Sequence, residues 1–170
     1  MNKRSPDLRI RNARPEELDE VAEVLKAAYQ QYEPSVPAAA WEPYFEDIAD
    51  VRSRLADSEL IVAEREGRIV GSVTFYPPSD SADHGWPSGW AGIRLLAVLP
   101  DTRGLGIGRV LMEECFRRCR DLGVRTVGLH TTKIMAVARA MYERMGFVRV
   151  PGYDFHPAPG VVVMGYRLDL

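Results

Sequence analysis

The chain has 170 residues, a net charge of −2 and a hydrophobic fraction of 46%. That length fits one domain with a sizeable core, and the charge excludes an overall basic field of the kind that draws a protein to nucleic acid. The first residues, Met1-Asn2-Lys3-Arg4, lead into no apolar run of a signal peptide. No stretch approaches the roughly 18 apolar residues of a membrane span. A cytoplasmic protein with no membrane partner is expected. Cys115 and Cys119 lie one helical turn apart and read as small buried hydrophobes rather than as a disulfide or metal pair.

Residues 8–12 alternate apolar and charged side chains, as a short strand does. Pro15 with Glu16 and Glu17 opens a helix, since proline suits the first turn and acids there complement the dipole. Leu18, Val21, Ala22, Leu25 and Tyr29 keep helical spacing until Pro34 and Pro37, and a second helical stretch covers residues 41–55. Tyr29, Tyr32, Trp41, Tyr44 and Phe45 crowd around the break, where they pack two helices together or wall a substrate.

Residues 60–63 and 69–76 read as a hairpin closed by Glu64-Arg65-Glu66-Gly67-Arg68. A polar loop follows over residues 77–88, then a strand over 90–98. Next comes Arg103-Gly104-Leu105-Gly106-Ile107-Gly108, and a helix whose face is Ile107, Leu111, Cys115 and Leu122, with Met112, Phe116 and Cys119 beside it and Gly123 as its C-cap. A strand over 125–131 precedes a last helix with a stripe of Val137, Ala138, Met141, Tyr142 and Met145, ending at Gly146. Residues 147–150 and 161–168 are strands around a Pro/Gly-rich loop. The order β-α-α-β-β-β-α-β-α-β-β predicts a single domain over residues 1–170, with a mixed six- to seven-stranded sheet and helices on both faces.

A strand, a glycine-rich turn and a helix start form an anion site. The first helical amides have no internal acceptors, the dipole adds positive charge, and glycines admit a bulky phosphate. Spacing narrows the ligand. A P-loop needs Lys-Ser/Thr after its last glycine, but Arg109-Val110 follows Gly108. A dinucleotide site needs Gly-x-Gly-x-x-Gly early in a βαβ unit, and here the spacing is Gly104-x-Gly106-x-Gly108 late in the chain.

Arg103-x-x-Gly106-x-Gly108 after its strand is similar to the acyl-CoA site of the GNAT superfamily of N-acetyltransferases. Ala138, Tyr142 and Gly146-Phe147 resemble the ending of that family's last helix, and the element order agrees over nearly the whole chain. The resemblance implies acetyl-CoA as co-substrate and transfer of its acetyl group to a primary amine, a small molecule in preference to a peptide. It places the CoA pyrophosphate on Arg103, Gly104, Leu105, Gly106, Ile107, Gly108 and Arg109, and the pantetheine arm along Leu96, Ala97 and Val98. The Val98 amide becomes the oxyanion donor and Tyr142 the acid to the departing thiolate. The six arginines against four acids between residues 101 and 125 suit a polyphosphate.

The base is less direct. Residues 86–99 and 124–132 contain no acid. His130 falls where many relatives carry a strand glutamate and is the candidate base. Met135 replaces an asparagine common in relatives, and with Ala138 would pack on the CoA arm. Tyr29, Tyr32, Glu33, Asp154 and His156 are candidates to line the acceptor pocket, Glu33, Asp154 and His156 also as alternative bases. A non-catalytic acyl-CoA-binding module is the competing expectation. No metal and no nucleic acid are expected; dimers are common in the family, so a homodimer is a candidate assembly.

Overall fold

The computed structural model describes residues 7–79 and 85–170. The start of the chain over 1–6 and the middle of the polar loop over 80–84, both read above from sequence, lie outside the described residues. The chain divides into two compact units, one of residues 1–74 with 95–114, the other of 75–94 with 115–170.

The first unit begins with β1 (Leu8–Asn12), antiparallel to β2 (Glu59–Arg65) in the register Leu8↔Arg65 to Asn12↔Ile61. A 3-10 turn at Pro15–Glu17 leads into α1 (Leu18–Tyr29), which buries Leu18, Val21, Val24, Leu25, Ala28 and Tyr29 along one stripe. A second 3-10 segment, Gln30–Ser35, separates it from α2 (Ala38–Ala49). α2 starts earlier than its sequence pattern suggested and ends at Ala49; Arg54, in a separate 3-10 turn, caps it by donating to the carbonyls of Asp47 (2.6 Å) and Ile48 (2.7 Å). The aromatic group packs between the two helices as expected: Tyr29 lies edge-on to Tyr32 (5.8 Å) and Tyr44 (6.4 Å), and Trp41 stacks on Phe45 (5.1 Å).

β2 turns into β3 (Arg68–Tyr76) through two residues, Glu66 (φ 52°) and Gly67 (φ 75°). Left-handed φ at both positions is the hairpin turn that matches strand twist. The first unit carries the strand order β1-β2-β3-β4, where β4 is Ala91–Val98. α3 (Ile107–Asp121) follows β4.

The second unit carries the order β4-β5-β8-β6, with β5 at Thr126–Thr131, β6 at Val148–Arg149 and β8 at Val161–Asp169. β5 is parallel to β4 and antiparallel to β8. The fold is therefore mixed α/β, with an eight-stranded, mostly antiparallel sheet and flanking helices. The strand beyond the expected six to seven is β7 (Phe155–Ala158), which pairs only with β8. Its Pro157 hid it in the sequence, and proline is tolerated on such an edge.

Both later helices end in Schellman motifs. Gly123 (φ 70°) donates to Arg120 while Val124 donates to Cys119, and Gly146 (φ 100°) donates to Glu143 while Phe147 donates to Tyr142. Two expected core positions are corrected. Leu122 is 56% exposed because it sits in the cap of α3 rather than on its buried face. In α4 (Ala136–Arg144) Val137 is 86% exposed, and Tyr142 is the residue that reaches the core.

Candidate functional site

In the first unit, β4 runs into a 3-10 turn at Pro100–Thr102. The buried Thr102 hydroxyl donates to the Leu99 carbonyl at 3.1 Å, and the Leu99 N–H donates to the Val70 carbonyl at 2.8 Å. The chain then passes through Gly104 (φ 79°) and Gly106 (φ 78°) before α3 begins at Ile107. These left-handed glycines flank Leu105 and turn the backbone sharply just before the unpartnered amides of a helix start. A Cβ on either glycine would meet nothing within 4 Å, so the requirement is conformational and the surface there stays open. Leu105 is exposed, Ile107 is buried and anchors the helix, and Gly108 lies in the first turn of α3.

The two arginines of this turn behave differently. Arg103 reaches back to α1, donating to the Ala28 carbonyl at 3.1 Å and to Gln31 at 3.4 Å, so its guanidinium is engaged away from the helix start. Arg109 pairs with Glu113 one turn along α3 at 2.9 Å and remains exposed.

Gly71 is a residue that sequence reasoning missed. A Cβ there would lie 2.9 Å from the Ala97 carbonyl oxygen, 3.1 Å from Ile107 Cγ2 and 3.2 Å from Leu111 Cδ1. Its bare backbone lets the first turns of α3 press against β3 and so fixes the height of the glycine turn. Isolated glycine inside a strand pattern is the signal that marks such a close approach.

Within β4, Leu95 has φ 56°. A left-handed leucine costs about 1–2 kcal/mol and has to be held by its surroundings. Just before it, the parallel ladder to β5 stops. Its pairs are Ala91↔Val127, Gly92↔Gly128 and Ile93↔Leu129, although β4 continues to Val98 and β5 to Thr131. Leu96, Ala97 and Val98 follow the last of these pairs and precede the glycine turn in the chain. Tyr29, buried at the end of α1, donates its hydroxyl to the Leu96 carbonyl at 3.1 Å. Tyr32 is half-buried, and burial pushes its phenol up, with Arg103 partly offsetting this. Glu33 is exposed and accepts from Gln30.

In the second unit, an aromatic stack surrounds His130. The buried Trp86 lies parallel to the imidazole at 4.5 Å, with Phe155 edge-on at 5.1 Å. Trp86 also contacts Trp90 (5.7 Å) and Tyr153 (5.1 Å). It lies over a paired glycine floor: a Cβ on Gly92 would sit 3.3 Å from the indole, and one on Gly128 only 2.4 Å. The His130 Nε2 is 2.8 Å from the Tyr153 carbonyl oxygen. A carbonyl only accepts, so Nε2 carries the proton and Nδ1 is the basic nitrogen of the neutral ring. Burial pulls the His130 pKa below its ordinary value, the Tyr153 bond opposes this, and Arg94 adds to the lowering.

Asp154 is occupied elsewhere. Its two carboxylate oxygens accept from Arg149 at 2.6 and 2.8 Å, and one also accepts from the Gly165 N–H at 2.8 Å. The Arg149 guanidinium holds its pKa down to about 2. Asp154 therefore braces its loop against β8, with both carboxylate oxygens engaged. His156 is exposed on β7. Tyr142 is 7% exposed and its ring packs on Phe147 at 5.8 Å. Met135 is the N-cap of α4 and provides no side-chain acceptor for its first amides; Ala138 follows in the first turn, half-buried. Among the described residues there is no cluster of three or more His, Cys, Asp or Glu able to hold a metal ion, and no helix is long and apolar enough to cross a membrane.

A left-handed glycine turn that opens a helix straight after a strand is a backbone site for a phosphorylated ligand. The sequence model of the acetyltransferase (GNAT) family matches residues 18–147. The chain belongs to that family. It is 39% identical over 108 residues to a mycothiol acetyltransferase of Cellulomonas flavigena, covering 59% of this chain and 31% of that protein. It is 32% identical over 146 residues to a mycothiol acetyltransferase of Propionibacterium freudenreichii, covering 82% of this chain and 43% of that one. The chain thus spans less than half the length of these relatives. Among solved structures, a GNAT family acetyltransferase from Brucella melitensis in complex with acetyl-CoA superposes with a TM-score of 0.65 at 26% identity, covering 96% of this chain and 88% of that one.

Proposed function

We infer that the chain is an acetyl-CoA-dependent N-acetyltransferase that acylates a primary amine by direct attack, with a small-molecule acceptor favoured over a peptide. The observation that carries the reading is the pair of left-handed glycines, Gly104 and Gly106, opening α3 where the phosphates of CoA would need backbone amides. The acetyl-CoA complex of the Brucella relative supports the same co-substrate.

Each residue then has a role. Amides from Gly104 to Arg109 receive the pyrophosphate, and the backbone of Leu96, Ala97 and Val98 receives the pantetheine arm, with Met135 and Ala138 packing on it. His130 takes the proton from the amine at Nδ1, the Val98 amide stabilises the oxyanion, and Tyr142 gives its proton to sulfur as the C–S bond breaks. Tyr32 and Glu33 on one segment and His156 on another are the acceptor-lining candidates.

Ligand-dependent melting tests the co-substrate. At a hundredfold over its Kd, a ligand specific to the folded state stabilises by about 2.7 kcal/mol, or roughly 5–10 °C for a chain of this size. Acetyl-CoA and CoA are expected to give that shift, and ATP and NAD none. No shift with either CoA species overturns the reading; a shift without turnover of any primary amine leaves a binding module in its place.

His130 makes two pH predictions. Its pKa is lowered from 6.5 in the folded protein. The unfolded chain then binds more protons between the two values, so His130 adds stability above about 6.5 that is lost as pH falls toward the depressed value. In catalysis the same ionisation sets an acidic limb in kcat/KM. His130→Ala is expected to erase that limb; an unchanged profile removes His130 as base.

A further inference from the structure

Consecutive residues at the end of α1 hold both ends of the segment that leads into the glycine turn. Tyr29 donates to the Leu96 carbonyl at 3.1 Å, and the Ala28 carbonyl accepts from Arg103 at 3.1 Å. Between these anchors the Leu99 N–H is held by the Val70 carbonyl. Immediately before them Leu95 sits in the left-handed region, where a leucine does not rest unaided. A trans peptide is planar, with its C=O and N–H pointing in opposite directions. Drawing the Leu96 oxygen toward α1 therefore aims the Ala97 N–H the other way. The phenol is itself fixed, since its ring is buried and meets Tyr32 and Tyr44 edge-on.

We propose that Tyr29 is a positioning residue: its hydroxyl locks the Leu96–Ala97 peptide in the orientation that presents the backbone of β4 to the pantetheine arm of the co-substrate. This replaces the acceptor-lining role that its place in the sequence suggested, because the hydroxyl is spent on the backbone. The inference rests on the acetyl-CoA reading above. It separates the binding surface into a part that Tyr29 controls, the β4 backbone, and a part it does not, the amides of Gly104 to Arg109.

Tyr29→Phe keeps the ring and deletes the bond. Its affinity for acetyl-CoA, by calorimetry, is expected to fall about tenfold. Its affinity for 3′-phospho-ADP, which carries the pyrophosphate without the arm, stays at the wild-type value, and Tm stays within about 2 °C. In a Leu95→Gly background, where the left-handed residue needs no restraint, Tyr29→Phe is expected to cost less than about twofold. Equal weakening of both ligands, or no weakening of acetyl-CoA, overturns the inference, as does full additivity with Leu95→Gly. Wild-type protein that binds neither ligand overturns the acetyl-CoA reading, and this inference with it.

Discussion

Tyr142→Phe is expected to lower kcat by about 100-fold while leaving the KM for acetyl-CoA within about threefold. The substitution keeps the ring that packs on Phe147 and removes only the hydroxyl. A phenol with an ordinary pKa of about 10 is protonated at neutral pH, whereas a thiol leaves as a thiolate with a pKa near 8.5, so the transfer from oxygen to sulfur is needed only as the bond breaks. An interaction confined to that moment reduces kcat and kcat/KM together. An unchanged kcat would leave Tyr142 as a core tyrosine.

The largest effect on stability is expected at Gly128. Alanine there would place its Cβ 2.4, 2.5 and 2.8 Å from three atoms of the Trp86 indole. That indole cannot swing aside, because Trp90, His130 and Tyr153 border it. Overpacking of this kind costs about 3 kcal/mol, a fall of roughly 6–12 °C in Tm. Trimming the obstacle should recover part of the loss, so Gly128→Ala with Trp86→Leu is expected to be more stable than the sum of the two single changes. A Gly128→Ala protein that melts within about 2 °C of wild type would show that the stack gives way.

Local features were the legible ones. Glu64-Arg65-Glu66-Gly67-Arg68 announced a hairpin, Gly123 and Gly146 announced helix ends, and Gly104 with Gly106 announced the anion turn, because each needs a backbone state that neighbouring residues dictate. The partners of Asp154 and His130 were not legible. His130 and Tyr153 are 23 residues apart, and nothing near either one encodes their contact. The glycines at 71, 92 and 128 were not singled out from the sequence, because only the packed neighbours say what each one admits. Leu95 gave no signal at all, since leucine is an ordinary strand residue whose left-handed turn is imposed from outside. The extent of α4 was readable, its burial was not. A nine-residue helix shows too few turns to fix which side faces the core.

The chain's two cysteines, Cys115 and Cys119, are both fully buried, and burial pushes the Cys119 thiol up to about 11. Thiol reagents attack the thiolate, so the folded protein contributes little colour of its own. Acetyl transfer liberates CoA, itself a thiol, and a chromogenic disulfide added to the reaction would count product against a dark background. Colour that grows without acceptor would instead time the opening of the core around α3, giving one reagent two readouts.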